Sequence, residues 1–262
     1  MDLENICRSV THETNSRKLV ILLQKATLNL LENYCCSIDG ITFRPIELES
    51  YCFKSGSFED PYVHSNELQK NHFGEFYVHR RGQTAASPYK MDNRVCVGIS
   101  LSTDESYYYS ALIRSVVFED GTHVYGPNNV LCRLMSRVNR QKQLLPADFF
   151  DTRHEGTFEM SKLFPAIEGK KVLEKCGRSL SASSTDRVFF STRVGIGADN
   201  KYYHDLPLRA LRGGLTKEYL FKEKTIVLKH YLSERGLRGE QAVKEARTVF
   251  GSAPKSVIDS LK

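Results

Sequence analysis

This 262-residue chain lacks several features, and each absence excludes a class of protein. No run approaches the roughly 20 consecutive apolar residues that a membrane-spanning helix needs. The opening stretch MDLENICRSVTHE has no basic-then-apolar pattern of a secretory signal. The seven cysteines include no CxxC pair, and only Cys35 and Cys36 are adjacent. An odd count without that spacing argues for reduced thiols and against a disulfide framework or a zinc site. Together these absences predict a soluble cytoplasmic protein. Internal repeats and low-complexity linkers are missing too. So are GxGxxG, the P-loop, GxSxG and HExxH, which removes the usual support for nucleotide binding, serine hydrolysis and zinc proteolysis.

What is present is ordinary in bulk: 40% hydrophobic and 26% charged residues, enough chain for one large domain or two small ones. The net charge of +6 is unevenly placed. From Arg209 onward there are twelve Lys/Arg and six Asp/Glu, so this tail holds the whole excess. A basic segment fits contact with nucleic acid; a solvated helical surface would look the same by charge alone.

Hydrophobic periodicity predicts a helix over 17–34, and a hairpin joining CCSI to GITFRPIELESYCF through Asp39-Gly40. Further strands are expected in GEFYVHRR, RVCVGISLS, YYYSALIRSVVF and DRVFFSTRVGIG. A helix is expected in GPNNVLCRLMSRVNRQ. From Leu215 the pattern gives two or three helices broken at Gly236–Gly239 and Gly251–Pro254. The irregular mixture predicts an α+β fold. One domain over 1–212 is expected on a curved antiparallel sheet with a protruding hairpin, followed by a basic helical extension over 213–262.

Within that sheet, IELESYCF sets Glu47 and Glu49 two apart, with Tyr51 on the same face by strand alternation, and His64 follows soon after. A solvated strand face would explain the carboxylates by itself. Five short segments in one order change the weighing. ELESY is similar to the E-T-E-A-Y of the alkyladenine (3-methyladenine) DNA glycosylase family, and VHSNELQKNHFGEFYVH to its A-H-S…G-x-L-Y-V-Y stretch. ALIRSV resembles its L-L-R-A-L strand, YGPNNVLCRLM its G-P-x-x-L-x-x-A-L helix, and STRVGIGADNKYYHDLPLRA its closing S-P-R-I/V-G-I…P-x-R-F strand. The resemblance covers roughly residues 18–212 in patches.

It implies a catalytic carboxylate at Glu49, a base-stacking ring at Tyr51, a pocket histidine at His64 and a water-holding arginine at Arg114. Three departures stand out. His79 falls where a second stacking tyrosine is usual, and Gly98 replaces an asparagine. The loop tip GQTAASPYKM offers Tyr89 as the duplex wedge. The first two imply a pocket that is wider or more polar, taking a larger base than a methylated purine, such as a bulky modified base of foreign (phage) DNA.

Acting on a base requires flipping it from the stack into a pocket with flat faces, here Tyr51 and His79, and filling the gap left behind. Tyr89, Arg80 or Arg81 would fill that gap. Breaking the N-glycosidic bond builds positive charge on the sugar, which one carboxylate stabilises while it activates water. The expected protein is a monomeric, monofunctional glycosylase acting on double-stranded DNA, with no cofactor and no metal. Two alternatives remain open. One is a non-catalytic DNA-binding protein that kept the fold. The other is a metal-dependent nuclease using Glu47, Glu49, His64 and His72.

Overall fold

The computed structural model of the protein describes residues 2–90, 95–151, 158–176 and 187–261. Met91, the last residue of the expected loop tip, lies outside them. The architecture is α+β, with a curled antiparallel sheet and a helical C-terminal region. Two compact units divide the chain at Met1–Gly177 and Arg178–Lys262. The boundary expected after residue 212 instead falls inside a strand of the second unit.

In the first unit, α1 (Leu3–His12) starts on the Asp2 side chain and buries Leu3, Ile6, Cys7 and Val10, a helical stripe. Absence of a signal pattern was all that this stretch yielded as sequence, and the helix was missed. α2 (Ser16–Asn33) is capped by Asn15 and fills the expected range. β1 (Tyr34–Ile38) and β2 (Ile41–Lys54) pair across Asp39-Gly40. Both turn residues have positive φ, +49° and +75°, as a two-residue type I′ turn requires.

The remaining strands of this unit are β3 (Phe58–Glu59), β4 (Phe76–Val78), β5 (Val97–Ser100), β6 (Tyr108–Phe118), β7 (His123–Tyr125) and β8 (Leu173–Lys175). They form an antiparallel array in the order β4-β5-β6-β2-β1-β8, with β3 on β2 and β7 on β6. α3 (Pro127–Lys142) begins with Pro at its first turn, where a missing N–H costs nothing, and packs on β6.

Buried cations tie helix ends to the sheet. Lys54 Nζ donates to the carbonyls of Val10, Thr11 and Glu13 at 2.9, 2.6 and 2.7 Å, closing the C-terminus of α1. Arg44 does the same for α2 through Leu31 and Glu32, at 3.3 and 2.7 Å. Each cation meets the negative end of a helix dipole and satisfies carbonyls that the helix leaves open.

β2 separates two environments. Ser50 points to α2, sharing a 2.7 Å hydrogen bond with Thr27. Glu49 and Tyr51 point to the opposite face by the strand's two-residue period.

The second unit contains β9 (Arg187–Ser191) paired antiparallel with β10 (Arg209–Gly213), and the short α4 (Lys201–Asp205). It closes with α5 (Lys224–Glu234), α6 (Gly239–Phe250) and α7 (Lys255–Asp259), broken where the glycines and Pro254 predicted. Among the described residues, no helix is long and apolar enough to cross a membrane.

Candidate active site

The register across four strands assembles one row of side chains. Tyr77 pairs with Gly98, Gly98 with Leu112, and Leu112 with Glu49. Paired residues of an antiparallel sheet share a face, so Glu49, Leu112, Gly98 and Tyr77 look the same way. Two residues along, Arg114 joins from β6, and His79 N donates to Cys96 O at 3.1 Å beyond β4. In the other direction Tyr51 pairs with Ser110. The Gln69 amide donates to Ser110 Oγ at 2.8 Å, and Ser100 Oγ donates to Leu68 O at 2.6 Å. The short turn Glu67–Gln69 therefore covers this end of the face.

Glu49 is the centre of the row. It is 0% exposed, and Arg114 Nη1 and the Tyr51 hydroxyl both donate to its Oε2, at 3.3 and 3.0 Å. Arg114 Nε also donates to Glu47 Oε1 at 3.3 Å, and Ser115 Oγ donates to Glu47 Oε2. Register shifts on both sides of Glu47 accompany this bridging, since irregular pairing re-aims side chains. Burial disfavours the Arg114 cation, but the Glu49 and Glu47 carboxylates outweigh it and hold the guanidinium above its ordinary pKa. The space between the two carboxylates is thus occupied by a guanidinium, which leaves the nuclease alternative without a shared cation position at Glu47 and Glu49.

A second cluster lies on β4 and the segment before it. The His64 and His79 rings are 4.7 Å apart and tilted by 59°, and Tyr77 lies 5.4 Å from His79. Ser65, next to His64, has φ +51°, an uncommon conformation for a residue with a side chain. Burial, then His64 and Lys90, bring the His79 pKa down to about 3. His64 is solvent-exposed, yet the partial burial it does have, and then Lys90, also lower its pKa. At neutral pH the pair is uncharged, and each ring offers one donor and one acceptor.

Two expectations need correction. Tyr89 does not stand free as a wedge. It bridges back to Arg80, its ring packs edge-on against Phe164 at 4.8 Å, and its hydroxyl donates to Glu168 at 2.8 Å. The Arg80 guanidinium lies 4.0 Å from the Tyr89 ring centroid, is paired with Glu168, and donates to Ser87 O at 2.5 Å. Using either residue as a wedge would break this cluster, which leaves exposed Arg81 as the candidate of the three. The loop is held further by Asn66, whose amide donates to Gly82 O and Thr84 O at 2.6 and 2.9 Å.

Gly98 has a backbone reason for lacking a side chain. A Cβ there would lie 2.9 Å from the Ala111 carbonyl oxygen, so β5 approaches β6 too closely for any other residue. Its glycine is not simply a widening of the pocket.

Sequence reasoning missed Glu168, Asn66, Lys90 and Ser115. Glu168 sits in AIEGK with no motif, and only the fold brings it to Arg80 and Tyr89. Ser115 follows Arg114 directly, but strand alternation assigns it to the other face; irregular pairing recovers it. Among the described residues, no three His, Cys, Asp or Glu side chains are grouped as metal ligands. No family model matches the chain, and a comparison with curated proteins gave no match.

Proposed function

We propose that the protein is a monofunctional DNA glycosylase that flips a modified base from double-stranded DNA and hydrolyses its N-glycosidic bond. The observation that carries this reading is the buried carboxylate Glu49 bound by both Arg114 and Tyr51, on the sheet face shared with His79. A buried carboxylate held by fixed donors stabilises a cation far better than one in water, because the surrounding dielectric is low and no reorganisation is needed. As the base departs with the bonding electron pair, positive charge grows on the sugar beside Glu49. Water adds its oxygen to C1′ and gives a proton to the carboxylate, and the released base is protonated in turn. Arg114 positions Glu49 and places a positive charge beside its carboxylate. Tyr51 is both a donor to Glu49 and the flat face for the flipped base.

The substrate side follows from His64 and His79. Two neutral imidazoles supply polar atoms where a phenol would supply mainly a face, which suits a base carrying extra polar substituents, such as a bulky modified base of foreign DNA. The protein acts as a monomer in the cytoplasm in this reading, with Arg81 at the duplex. Incubating it with genomic DNAs that carry different base modifications, then identifying released bases by mass spectrometry, tests the reading. Release of one modified base in molar balance with alkali-labile sites is expected. Strand breaks without free base would overturn it.

A further inference from the structure

The two units divide the charge sharply. Met1–Gly177 has 21 Lys/Arg against 22 Asp/Glu, whereas Arg178–Lys262 has 16 against 9. The candidate site belongs to the unit without excess charge, so the positive excess serves something else or nothing.

Within the second unit, α5 and α6 are joined by four residues, 235–238, with Gly236 at φ +63°. Leu237 N donates to Leu232 O at 3.0 Å and Gly236 N to Ser233 O at 2.9 Å, a compact helix end that turns the chain back onto itself. A helix pair joined by a short glycine-containing turn is a unit that can lay its second helix against duplex DNA. α6 buries Ala242, Ala246 and Val249 and leaves Gln241, Lys244, Arg247 and Thr248 exposed on another side. Of its two acids, Glu245 is turned away to Arg187 at 2.7 Å and to the Tyr231 hydroxyl at 2.6 Å. Glu240 alone stays exposed on the helix, one turn before Lys244. The Lys244–Arg247 side lines an open groove of about 840 Å³ that also reaches Val243 and Ile258.

We propose that this unit is a second, sequence-independent contact for double-stranded DNA, with Lys244 and Arg247 of α6 against backbone phosphates. The exposed stripe of α6 has charged and polar groups and no aromatic to stack an unpaired base, and the apolar side chains beside it, Val243 and Ile258, are half-buried in the groove wall. That composition fits a duplex backbone rather than a single strand or a membrane. The choice of DNA over duplex RNA rests on the base-removal reading; the phosphate contact itself does not.

The test uses the full chain and a labelled duplex without modified bases, with affinity measured across a potassium chloride series. Lys244→Gln/Arg247→Gln should weaken binding about tenfold or more at low salt. It should also flatten the slope of log Kd against log salt by about 1.8, since each phosphate contact contributes about 0.9. Glu240→Lys should tighten binding and steepen the slope, a gain that misfolding cannot mimic. Arg17→Gln/Lys18→Gln, a matched exposed pair on α2, should leave the slope unchanged. A wild-type slope in the α6 double variant overturns the proposal, as does an equal loss in the α2 pair. So does a loss confined to duplex RNA or anionic vesicles. Glu49→Gln separates the two readings: should it fail to affect base release, the slope measurement still stands.

Discussion

At the scale of single residues, Glu47 and Glu49 share Arg114 but differ in their other partner, Ser115 for one and Tyr51 for the other. Glu49 accepts from the hydroxyl of Tyr51, the ring proposed to stack on a flipped base. Glu49→Gln should therefore lower base release by about two to four orders of magnitude while keeping duplex binding, whereas Glu47→Gln should cost far less. The reverse ranking would put the chemistry on the other carboxylate. His79 gives a pH prediction. The folded state holds it neutral down to about 3, while the unfolded chain takes up a proton below about 6.5. Its contribution is therefore complete above pH 6.5 and is lost as the pH falls towards 3, at up to about 1.4 kcal/mol per pH unit and less where solvent reaches the ring. Denaturant unfolding at pH 7 and pH 5 should show a smaller pH loss for His79→Asn than for wild type; parallel losses would contradict the burial of this ring. Strand alternation put Glu49 and Tyr51 on one face from local pattern alone, whereas Arg114 entered through the resemblance of ALIRSV, and its hydrogen bond to Glu49 needed the pairing of β2 with β6. The engagement of Tyr89 and the backbone reason for Gly98 were not legible in the sequence, because both depend on residues brought in from elsewhere, Glu168 and Ala111.

At the scale of elements, the same division holds. The β1–β2 hairpin was readable from Asp39-Gly40, since few residue pairs accept two positive φ angles. The breaks between α5, α6 and α7 were readable from glycine and Pro254. Both β4 and β5 are shorter than their apolar runs, because beyond the His79 N–Cys96 O hydrogen bond the chain leaves the ladder for the loop pinned by Asn66. Removing that pin, with Asn66→Ala, should cost roughly 1–2 kcal/mol through the lost hydrogen bonds from the buried Asn66 amide to Gly82 O and Thr84 O. Hydrogen exchange should rise at amides 82–87, and an unchanged exchange pattern there would show that the Arg80–Glu168–Tyr89 cluster holds the loop by itself. Lys54 is the comparable tie for α1. Lys54→Met keeps the bulk but leaves three carbonyls at a helix end without their cation, and roughly 3 kcal/mol of stability should go with it. A calorimetric midpoint equal to wild type would mean that water replaces the ammonium without cost.

At the scale of the whole molecule, the sequence located the positive excess near the C-terminus but placed the division at 212, where motif resemblance ends. The structure divides after Gly177, so β9 and β10 belong to the same compact unit as α5–α7. The central proposal is that the Glu49 face hydrolyses a glycosidic bond in DNA. The most direct measurement counts alkali-sensitive sites and free base together, on the DNA whose base is released fastest, for wild type and Glu49→Gln, with and without chelator. The prediction is one free base per alkali-sensitive site for wild type, unaffected by chelator, and neither product from Glu49→Gln at matched binding. Equal activity of Glu49→Gln, or cleavage of the strand without free base, would contradict it.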